Sequence, residues 1–364
     1  MKVQDVINYL EVLAPLNYAE DFDNVGLLVG NKNNNVTGVL VTLDTIETVV
    51  DEAIKKQCNL IVSFHPIIFK GLKKITGKNY VERVVIKAIK HDIAIYSMHT
   101  ALDNAFNGVN HIICEQLKLK NQNILIPQVN TIKKLTTYAP KSDVNAVRTA
   151  LFNAGAGSLG NYTDCSFNNE GIGTFKPNNK ANPVKGNKGE LHQESEIQIN
   201  ITYKKHLETS VLKALKSSHP YEEVAYEITT LENQNQHIGM GMIGELNTPM
   251  ETTAFFNYLK QNMNTTLIRH SNLIKDTVKK IAVLGGSGSF AINAAIANKA
   301  DVFITADLKY HDFFAADHRI ILADIGHYES EQFIKNNLVA YLTKKISSFA
   351  IVLSTTNTNP VKYF

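Results

Sequence analysis

Five histidine and acidic residues of this chain follow apolar segments at positions where they could bind a divalent metal ion. His327 and Glu331 lie four residues apart in DIGHYESE, so a helix would place them on one face, about one turn apart. His65 follows the apolar run NLIVSF, and His99 and Asp103 follow the run IAIYSM. Imidazole and carboxylate groups without thiolates suit iron, zinc, manganese and cobalt alike, so these residue types indicate a metal site without identifying the metal.

These residues are expected at the carboxyl ends of strands. In open α/β sheets, ligands bind in the crevice outside such strand ends. We therefore expect four side chains to converge on one cluster: His65, Asp103, His327 and Glu331. Taken singly, each has a simpler explanation, because Glu331 suits a helix N-terminus, Asp103 can cap the helix that follows it, and His65 can be a hydrogen-bonded core residue. The coincidence of three strand ends favours the metal site.

The segments around these residues predict a mixed α/β fold. Residues 1–125 alternate strands and helices in a βαβαβ order, as in the strand VTGVLVTLD, the helix TIETVVDEAIKKQ and the strand NLIVSF. Residues 238–364 return to this pattern, with the strands KKIAVLGG and ADVFITAD and a long final helix, ESEQFIKNNLVAYLTKKI. We expect two related α/β lobes that form one host domain, with the metal site between them.

Residues 126–237 differ from both flanking parts. A stretch rich in Gly, Asn and Pro lies among the strand and helix patterns, and the predicted element order is β-α-β-β-α-β. We interpret this region as a ferredoxin-like α+β insert within the host domain. Its segment HPYEEVAYE contains His219, Glu222 and Glu223, for which we expect a local turn or an interface.

Three further motifs have weaker functional interpretations. Gly285, Gly286 and Gly288 lie between a strand and a helix, where backbone N–H groups can bind a phosphate, but a tight turn explains them equally well. Asp23 lies in the turn of DFDNVG, for which a structural role is favoured. Asp307 follows another predicted strand and is expected at the rim of the cleft.

The composition is that of a globular protein. The chain has 364 residues, 44% of them hydrophobic, which is enough for two or three domains. A net charge of +3 without a Lys/Arg block gives little support for nucleic-acid binding. No apolar run reaches the roughly 18 residues that span a membrane, and the start is typical of an amphipathic helix rather than a signal peptide, so we expect no membrane partner and a cytoplasmic location. The three cysteines form no CxxC pair and predict neither a disulfide framework nor a zinc knuckle.

Six segments resemble, in their order along the chain, those of the GTP cyclohydrolase I type 2 homologs, the NIF-three-like dinuclear metal-centre family: EDFDNVGLLVG, SFHPIIFKGLKKI, HTALDNAFNGVN, VLGGSGSF, ITADLKYHDFF and DIGHYESE. The segments GAGSLGNYTDCSF, GIGTFKP, ANPVKG and HPYEEVAYE are similar to the PII-like or CutA-like insert of the longer members. The resemblance covers nearly the whole chain. It implies a homohexamer with two divalent metal ions per subunit between the lobes.

The resemblance also implies roles for individual residues. It implies four metal ligands, namely His65, Asp103, His327 and Glu331. It makes His99 either a residue that contacts the metal ligands without binding metal itself or a proton carrier. Many members have two consecutive histidines in the second segment, whereas this chain has Phe64 before His65, so one metal loses an imidazole ligand.

Two functions agree with this resemblance. The first is a metal-dependent hydrolase that acts on a nucleotide or another small phosphate-containing molecule, in which Asp103 and Glu331 bridge the metals and His99 carries protons. The second is a non-catalytic hexameric scaffold that binds metal and has a regulatory role, with the insert sensing a ligand or partner. The sequence does not separate the two, since a fold family does not determine a reaction.

Overall fold

The computed structural model describes residues 1–363, and the chain forms two compact units. Unit 1 comprises Met1–Pro127 together with the chain from Gln236 onward, and unit 2 comprises Gln128–Asn235. The mixed α/β fold expected from the sequence is confirmed. Among the helices within residues 1–363, none has the length and hydrophobicity needed to cross a membrane.

The first part of unit 1 alternates strands and helices. Its strands are β1 (Gly26–Val29), β2 (Gly38–Thr42), β3 (Leu60–Ser63), β4 (Ala94–Ser97) and β5 (Lys120–Gln128). Its helices are α1 (Val3–Leu13), α2 (Glu47–Lys55), α3 (Tyr80–Lys90), α4 (His99–Asn104) and α5 (Val109–Gln116). The strands predicted from VTGVLVTLD, NLIVSF and IAIYSMH are β2, β3 and β4, whereas no strand was predicted at β1.

Unit 2 has the element order β-α-β-β-α-β. Its elements are β6 (Ile132–Pro140), α6 (Val144–Asn153), β7 (Phe167–Phe175), β8 (His192–Lys204), α7 (Glu208–Ser218) and β9 (Tyr226–Leu231). They form a four-stranded antiparallel sheet in the order β7-β8-β6-β9. Ile197, Ile199 and Ile201 of β8 join the core with α6 and α7. Because side chains alternate along a strand, the residues between them lie on the opposite face of the sheet.

The second part of unit 1 completes its sheets. Its strands are β10 (Asn235–Glu251), β11 (Arg269–His270), β12 (Thr277–Ser287), β13 (Val302–Ala306), β14 (Ile321–Asp324) and β15 (Ala350–Leu353). Its helices are α8 (Thr252–Met263), α9 (Ile292–Ala297), α10 (His327–Glu331) and α11 (Ile334–Lys345). The single final helix predicted from the sequence is therefore two helices, and the first of them begins at His327 and ends at Glu331.

Unit 1 contains two sheets that share a core. A five-stranded sheet has the order β1-β4-β3-β2-β15, and a six-stranded sheet has the order β11-β14-β13-β12-β10-β5. Strands β15, β2, β3 and β4 run parallel in the first sheet, as do β12, β13 and β14 in the second. Every residue of β2, β3, β4 and β13 is buried, as expected for parallel strands covered on both faces. One apolar cluster includes Val41 and Val62 of the first sheet and Val283 and Ile304 of the second.

The chain leaves unit 1 and returns to it at adjacent strands. β5 leads into unit 2, β10 leads out of it, and the two are neighbours in the six-stranded sheet. Their backbones approach closely, because a Cβ added at Gly239 would lie 2.2 Å from the carbonyl oxygen of Ile126. The connection to unit 2 is thus confined to one place in the sheet.

Candidate metal centre

Three side chains from the two sheets of unit 1 meet at one point. The ligand atoms of His65, His327 and Glu331 all lie within 4.8 Å of one another. His65 follows β3 after one intervening residue, while His327 and Glu331 begin and end α10, shortly after β14. Nε2 of His65 lies 3.1 Å from Oε2 of Glu331, and Nε2 of His327 lies 3.3 Å from the same oxygen. The helical spacing expected from the sequence therefore places this pair on one side of α10.

An aspartate fixes the orientation of each of these two histidines. Nδ1 of His65 lies 2.8 Å from Oδ1 of Asp44, and Nδ1 of His327 lies 2.6 Å from Oδ2 of Asp307. Because a carboxylate accepts the Nδ1 proton, each ring presents Nε2 to the cluster. Each aspartate follows the strand next to the one that precedes its histidine, β2 beside β3 and β13 beside β14. The pairing of neighbouring strands therefore places each aspartate beside its histidine.

Glu331 is buried, and the glycines at the end of β12 make room for it. Its side chain is 3% exposed, and among residues 1–363 the only polar partners close to Oε2 are the Nε2 atoms of His65 and His327. A Cβ at Gly286 would lie 2.5 Å from Glu331 Oε1. The N–H of Gly285 donates to Asn110 Oδ1, and the N–H of Gly286 donates to Ser330 Oγ. Protein side chains accept both of these N–H groups, so Gly285 and Gly286 do not offer them to a phosphate, and the structural interpretation is favoured over phosphate binding.

Asp103 lies beside the cluster but is not one of its three mutually close residues. It is within α4 rather than at the start of α5, whose N-cap is Gly108, so the capping explanation is wrong. Its Oδ1 is buried without a hydrogen-bond partner. Burial raises the pKa of Asp103 well above its usual range, and the nearby Glu331 carboxylate raises it further. The two carboxylates are therefore close enough to repel each other.

The charges of the cluster fit a bound cation. Burial alone would lower the pKa of His65, but Glu331 and Asp44 raise it to about 10. Burial likewise opposes protonation of His327, but Asp307 and Glu331 raise its pKa to about 11. Burial would raise the pKa of Glu331, but the two histidines lower it to about 2. The buried Glu331 carboxylate therefore needs positive charge beside it, which protonated imidazoles supply in the absence of metal and a bound cation would supply in their place.

His99 stands next to the cluster in a strained conformation. Its φ is +26°, an angle that residues other than glycine rarely adopt. Its ring lies 5.3 Å from that of His65, and its Nδ1 lies 2.8 Å from Oδ1 of Asp23. Asp23 also accepts hydrogen bonds from the backbone and side chain of Thr100. Burial would raise the pKa of Asp23, but these contacts with His99 and Thr100 lower it to about 2, so a charged carboxylate holds the His99 ring.

Sequence reasoning missed the roles of three aspartates, Asp23, Asp44 and Asp307. It treated Asp44 only as the end of a strand, Asp307 as a rim residue and Asp23 as part of a structural turn. A usable signal existed for Asp44 and Asp307, because an acid after one parallel strand lies beside a histidine after the next. For Asp23 the necessary signal was β1, which pairs with β4 and brings the preceding loop to His99.

Phe64 fills the position where the resemblance leads one to expect a second histidine. Its side chain is fully buried in the core shared by the two sheets. Its ring lies 4.9 Å from the ring of His65 and 5.7 Å from that of His99. A phenyl ring supplies no ligand atom, so this side of the cluster is apolar.

The comparisons with known proteins identify the family. A family model described as Duf34/NIF3 (NGG1p interacting factor 3) matches residues 1–360. The chain belongs to the DUF34/NIF3 family. This DUF34/NIF3 chain is 39% identical over 368 residues to the GTP cyclohydrolase 1 type 2 homolog of Bacillus subtilis (strain 168), covering 99% of this chain and 98% of that relative. It is 35% identical over 377 residues to the protein of the same name from Listeria innocua, with both chains fully covered.

A solved structure agrees with the family assignment. The crystal structure of a Bacillus cereus protein related to NIF3 is 36% identical in sequence and superposes with a TM-score of 0.86. It covers 100% of this chain and 99% of its own. The DUF34/NIF3 fold therefore extends over both units of the chain.

Proposed function

We propose that this protein is a metal-dependent hydrolase that acts on a nucleotide or another small phosphate-containing molecule. The observation that carries the proposal is a buried cluster in which Glu331 Oε2 faces the two imidazoles and Asp103 Oδ1 has no hydrogen-bond partner among residues 1–363. Two imidazole Nε2 atoms face Glu331, and an aspartate orients each ring. A bound cation would pair with the Asp103 carboxyl, which has no partner among residues 1–363, as well as with Glu331.

The residues that would hold metal are His65, Asp103, His327 and Glu331. We propose two divalent ions per subunit, of iron, zinc, manganese or cobalt, since the donor set suits all four. The three mutually close residues support one ion. Asp103 supports a second, which lacks an imidazole at Phe64 and is therefore the weaker one.

Bound divalent ions lower the pKa of a coordinated water and stabilise negative charge on a phosphate or developing oxyanion. The protein's own residues would supply orientation and proton transfer. Asp44 and Asp307 hold the two imidazoles in the tautomer that presents Nε2. His99 would accept or donate a proton at Nε2, because Asp23 engages its Nδ1. The apolar ring of Phe64 keeps water from that side of the cluster.

A non-catalytic scaffold that binds metal and has a regulatory role is the second candidate. Phe64 favours it, because an enzyme with two metals would gain from the imidazole that this chain lacks. The name of the relatives, GTP cyclohydrolase 1 type 2 homolog, makes GTP the first substrate to test. A shared fold alone does not decide between the two functions.

Turnover by metal-loaded protein separates these functions. The full chain is loaded with each of the four metals and incubated with GTP and a panel of phosphate esters, and product is followed by chromatography. We expect steady turnover that Asp103→Asn abolishes and Asp92→Asn preserves, since Asp92 is an exposed residue with φ +51°, a conformation that asparagine tolerates. Absence of turnover with every metal and substrate would favour the scaffold. Absence of bound metal in the wild-type protein would refute both.

Assembly, location and the class of unit 2 are further proposals. We propose a homohexamer in the cytoplasm, on the strength of the family resemblance, and a mass of six times the 40.5 kDa chain in native mass spectrometry would support the assembly. The element order of unit 2 and its sheet order β7-β8-β6-β9 support a ferredoxin-like class. We also propose that unit 2 is the PII-like or CutA-like insert that the family resemblance implies.

A further inference from the structure

Unit 2 contains a cavity that no step above uses. Its volume is about 650 Å³, which is within the range of small-molecule sites. Strand β7 and the loop after it line one side, and β6, β8 and the segment between α7 and β9 line the rest. None of the metal-cluster residues is among its lining residues.

Two glycines form the floor of this cavity. Gly171 of β7 pairs directly with Glu196 of β8, and Gly173 pairs with Glu194, so these residues lie on the face opposite α6 and α7. A Cβ at Gly171 would have no atom within 4 Å. Glycine inside a strand weakens it and often marks a place where a ligand approaches the backbone closely. The open space above Gly171 fits a flat group lying on the strand.

A buried carboxylate faces this floor. Glu196 is 9% exposed, and its Oε1 accepts a hydrogen bond of 2.9 Å from the Tyr221 hydroxyl. Its Oε2 lies over Gly173, because a Cβ there would be 2.1 Å from that oxygen. Within residues 1–363 no cation forms an ion pair with Glu196, whereas Glu194 contacts Nε2 of His192 at 3.0 Å. A buried carboxylate without a cationic partner is complementary to a positively charged group.

The remaining lining is aromatic and acidic. Tyr138, Phe175 and Tyr221 contribute rings, and the last two have centroids 5.9 Å apart. Aromatic faces attract cations as well as flat rings. The charged lining residues are four glutamates and two lysines: Glu170, Glu196, Glu222, Glu223, Lys176 and Lys185. This excess of carboxylates disfavours a phosphate or carboxylate ligand.

We propose that unit 2 binds an arylalkylamine, a flat aromatic ring bearing a protonated amino group. The ammonium group donates hydrogen bonds to Glu196, and the ring lies over Gly171 against the aromatic wall. This site and its ligand class are independent of the metal cluster and of the hydrolase proposal.

Calorimetric titration of the full chain with three matched probes tests the charge requirement. Tryptamine carries the cation, 3-ethylindole is its neutral counterpart and indole-3-propionate its anionic counterpart. We expect saturable binding of tryptamine and binding at least about tenfold weaker for the other two, as is typical when a charge-assisted hydrogen bond is lost. Equal binding of the anion, or no saturation by tryptamine, would overturn the proposal.

Two variants test the location of the site. Glu196→Gln keeps an acceptor for Tyr221 and should weaken tryptamine binding about tenfold, to the level of 3-ethylindole. Gly171→Leu fills the open space and should abolish tryptamine binding with little effect on the thermal midpoint, because a Cβ there would have no atom within 4 Å. The exposed Glu232→Gln is the matched control and should bind as the wild type does. Unchanged affinity in both Glu196→Gln and Gly171→Leu contradicts the proposed site, and Glu196→Gln decides alone if Gly171→Leu does not fold.

Discussion

Replacement of Gly286 by alanine tests whether Glu331 binds metal. The φ of Gly286 is +69°, and a Cβ there would lie 2.5 Å from Glu331 Oε1 and 3.4 Å from Cε1 of His327. The methyl group should therefore displace the carboxylate from its position beside the two imidazoles. The perturbation moves a proposed ligand without removing it and leaves every charge in the cluster unchanged.

Two effects contribute to the result, and a second glycine separates them. The left-handed backbone costs an alanine about 1–2 kcal/mol whatever surrounds it. Gly77 in the same unit has φ +81°, and a Cβ there would meet only side-chain atoms at 3.8 Å, an ordinary contact distance. Gly77→Ala should thus show the backbone cost alone. Gly286→Ala should show this cost and a loss of metal affinity of about 10–100-fold or more, the size seen when even an outer partner of a ligand is removed.

Competition between the protein and a chelator for zinc measures the affinity, and thermal unfolding measures the stability. We expect similar falls in thermal midpoint for the two variants and weaker zinc binding in Gly286→Ala alone. If Gly286→Ala folds and binds zinc as tightly as Gly77→Ala, then Glu331 is not a ligand in the position described, and the proposed metal centre fails with it.

Three other perturbations have expected outcomes. Asp307→Asn removes the charged acceptor of the 2.6 Å contact with Nδ1 of His327 and should weaken zinc binding by about 10–100-fold in the same competition assay, whereas unchanged affinity would show that this pair does not support a ligand. Phe64→His should strengthen binding of a second metal ion in a calorimetric titration. It should also lower the unfolding free energy of the metal-free protein, because it buries a polar ring at a fully enclosed position. A metal stoichiometry and affinity equal to those of the wild type would contradict this prediction. Burial would raise the pKa of Glu52, but hydrogen bonds from Lys56, Ser354 and the two residues after Ser354 lower this pKa below its usual 4.5. Ionised Glu52 therefore stabilises the fold above pH 4.5, and this stabilisation is lost as the pH falls below that value. Urea unfolding should accordingly show a gap between wild type and Glu52→Gln at pH 7 that narrows towards pH 3, and a constant gap would refute the assignment.

The convergence of His65, His327 and Glu331 could be anticipated because it depends on local signals. Each follows an apolar run that forms a buried parallel strand, β3 in one sheet and β14 in the other, and ligand sites form outside the carboxyl ends of such strands. The four-residue spacing of His327 and Glu331 likewise survives in α10, although that helix ends at Glu331 instead of continuing. Their metal-binding role itself stays a prediction.

The rest of the site depends on pairings that no local pattern contains. Strand β1 is four residues long and pairs antiparallel with β4, more than sixty residues away, and this pairing brings Asp23 to His99. The 17-residue strand β10 begins at Asn235 and contains several glycines, so neither strict alternation nor a continuous apolar run marks it. The steric need for glycine at position 286 became apparent only when Glu331 was placed beside it.

The confinement of the unit 2 connection to β5 and β10 makes that unit exchangeable. Within the six-stranded sheet, unit 2 takes the place of the loop that joins two neighbouring strands, whatever its length. A change of length or sequence within unit 2 is therefore expected to leave unaltered the register of β2 and β3, which aligns Asp44 with His65.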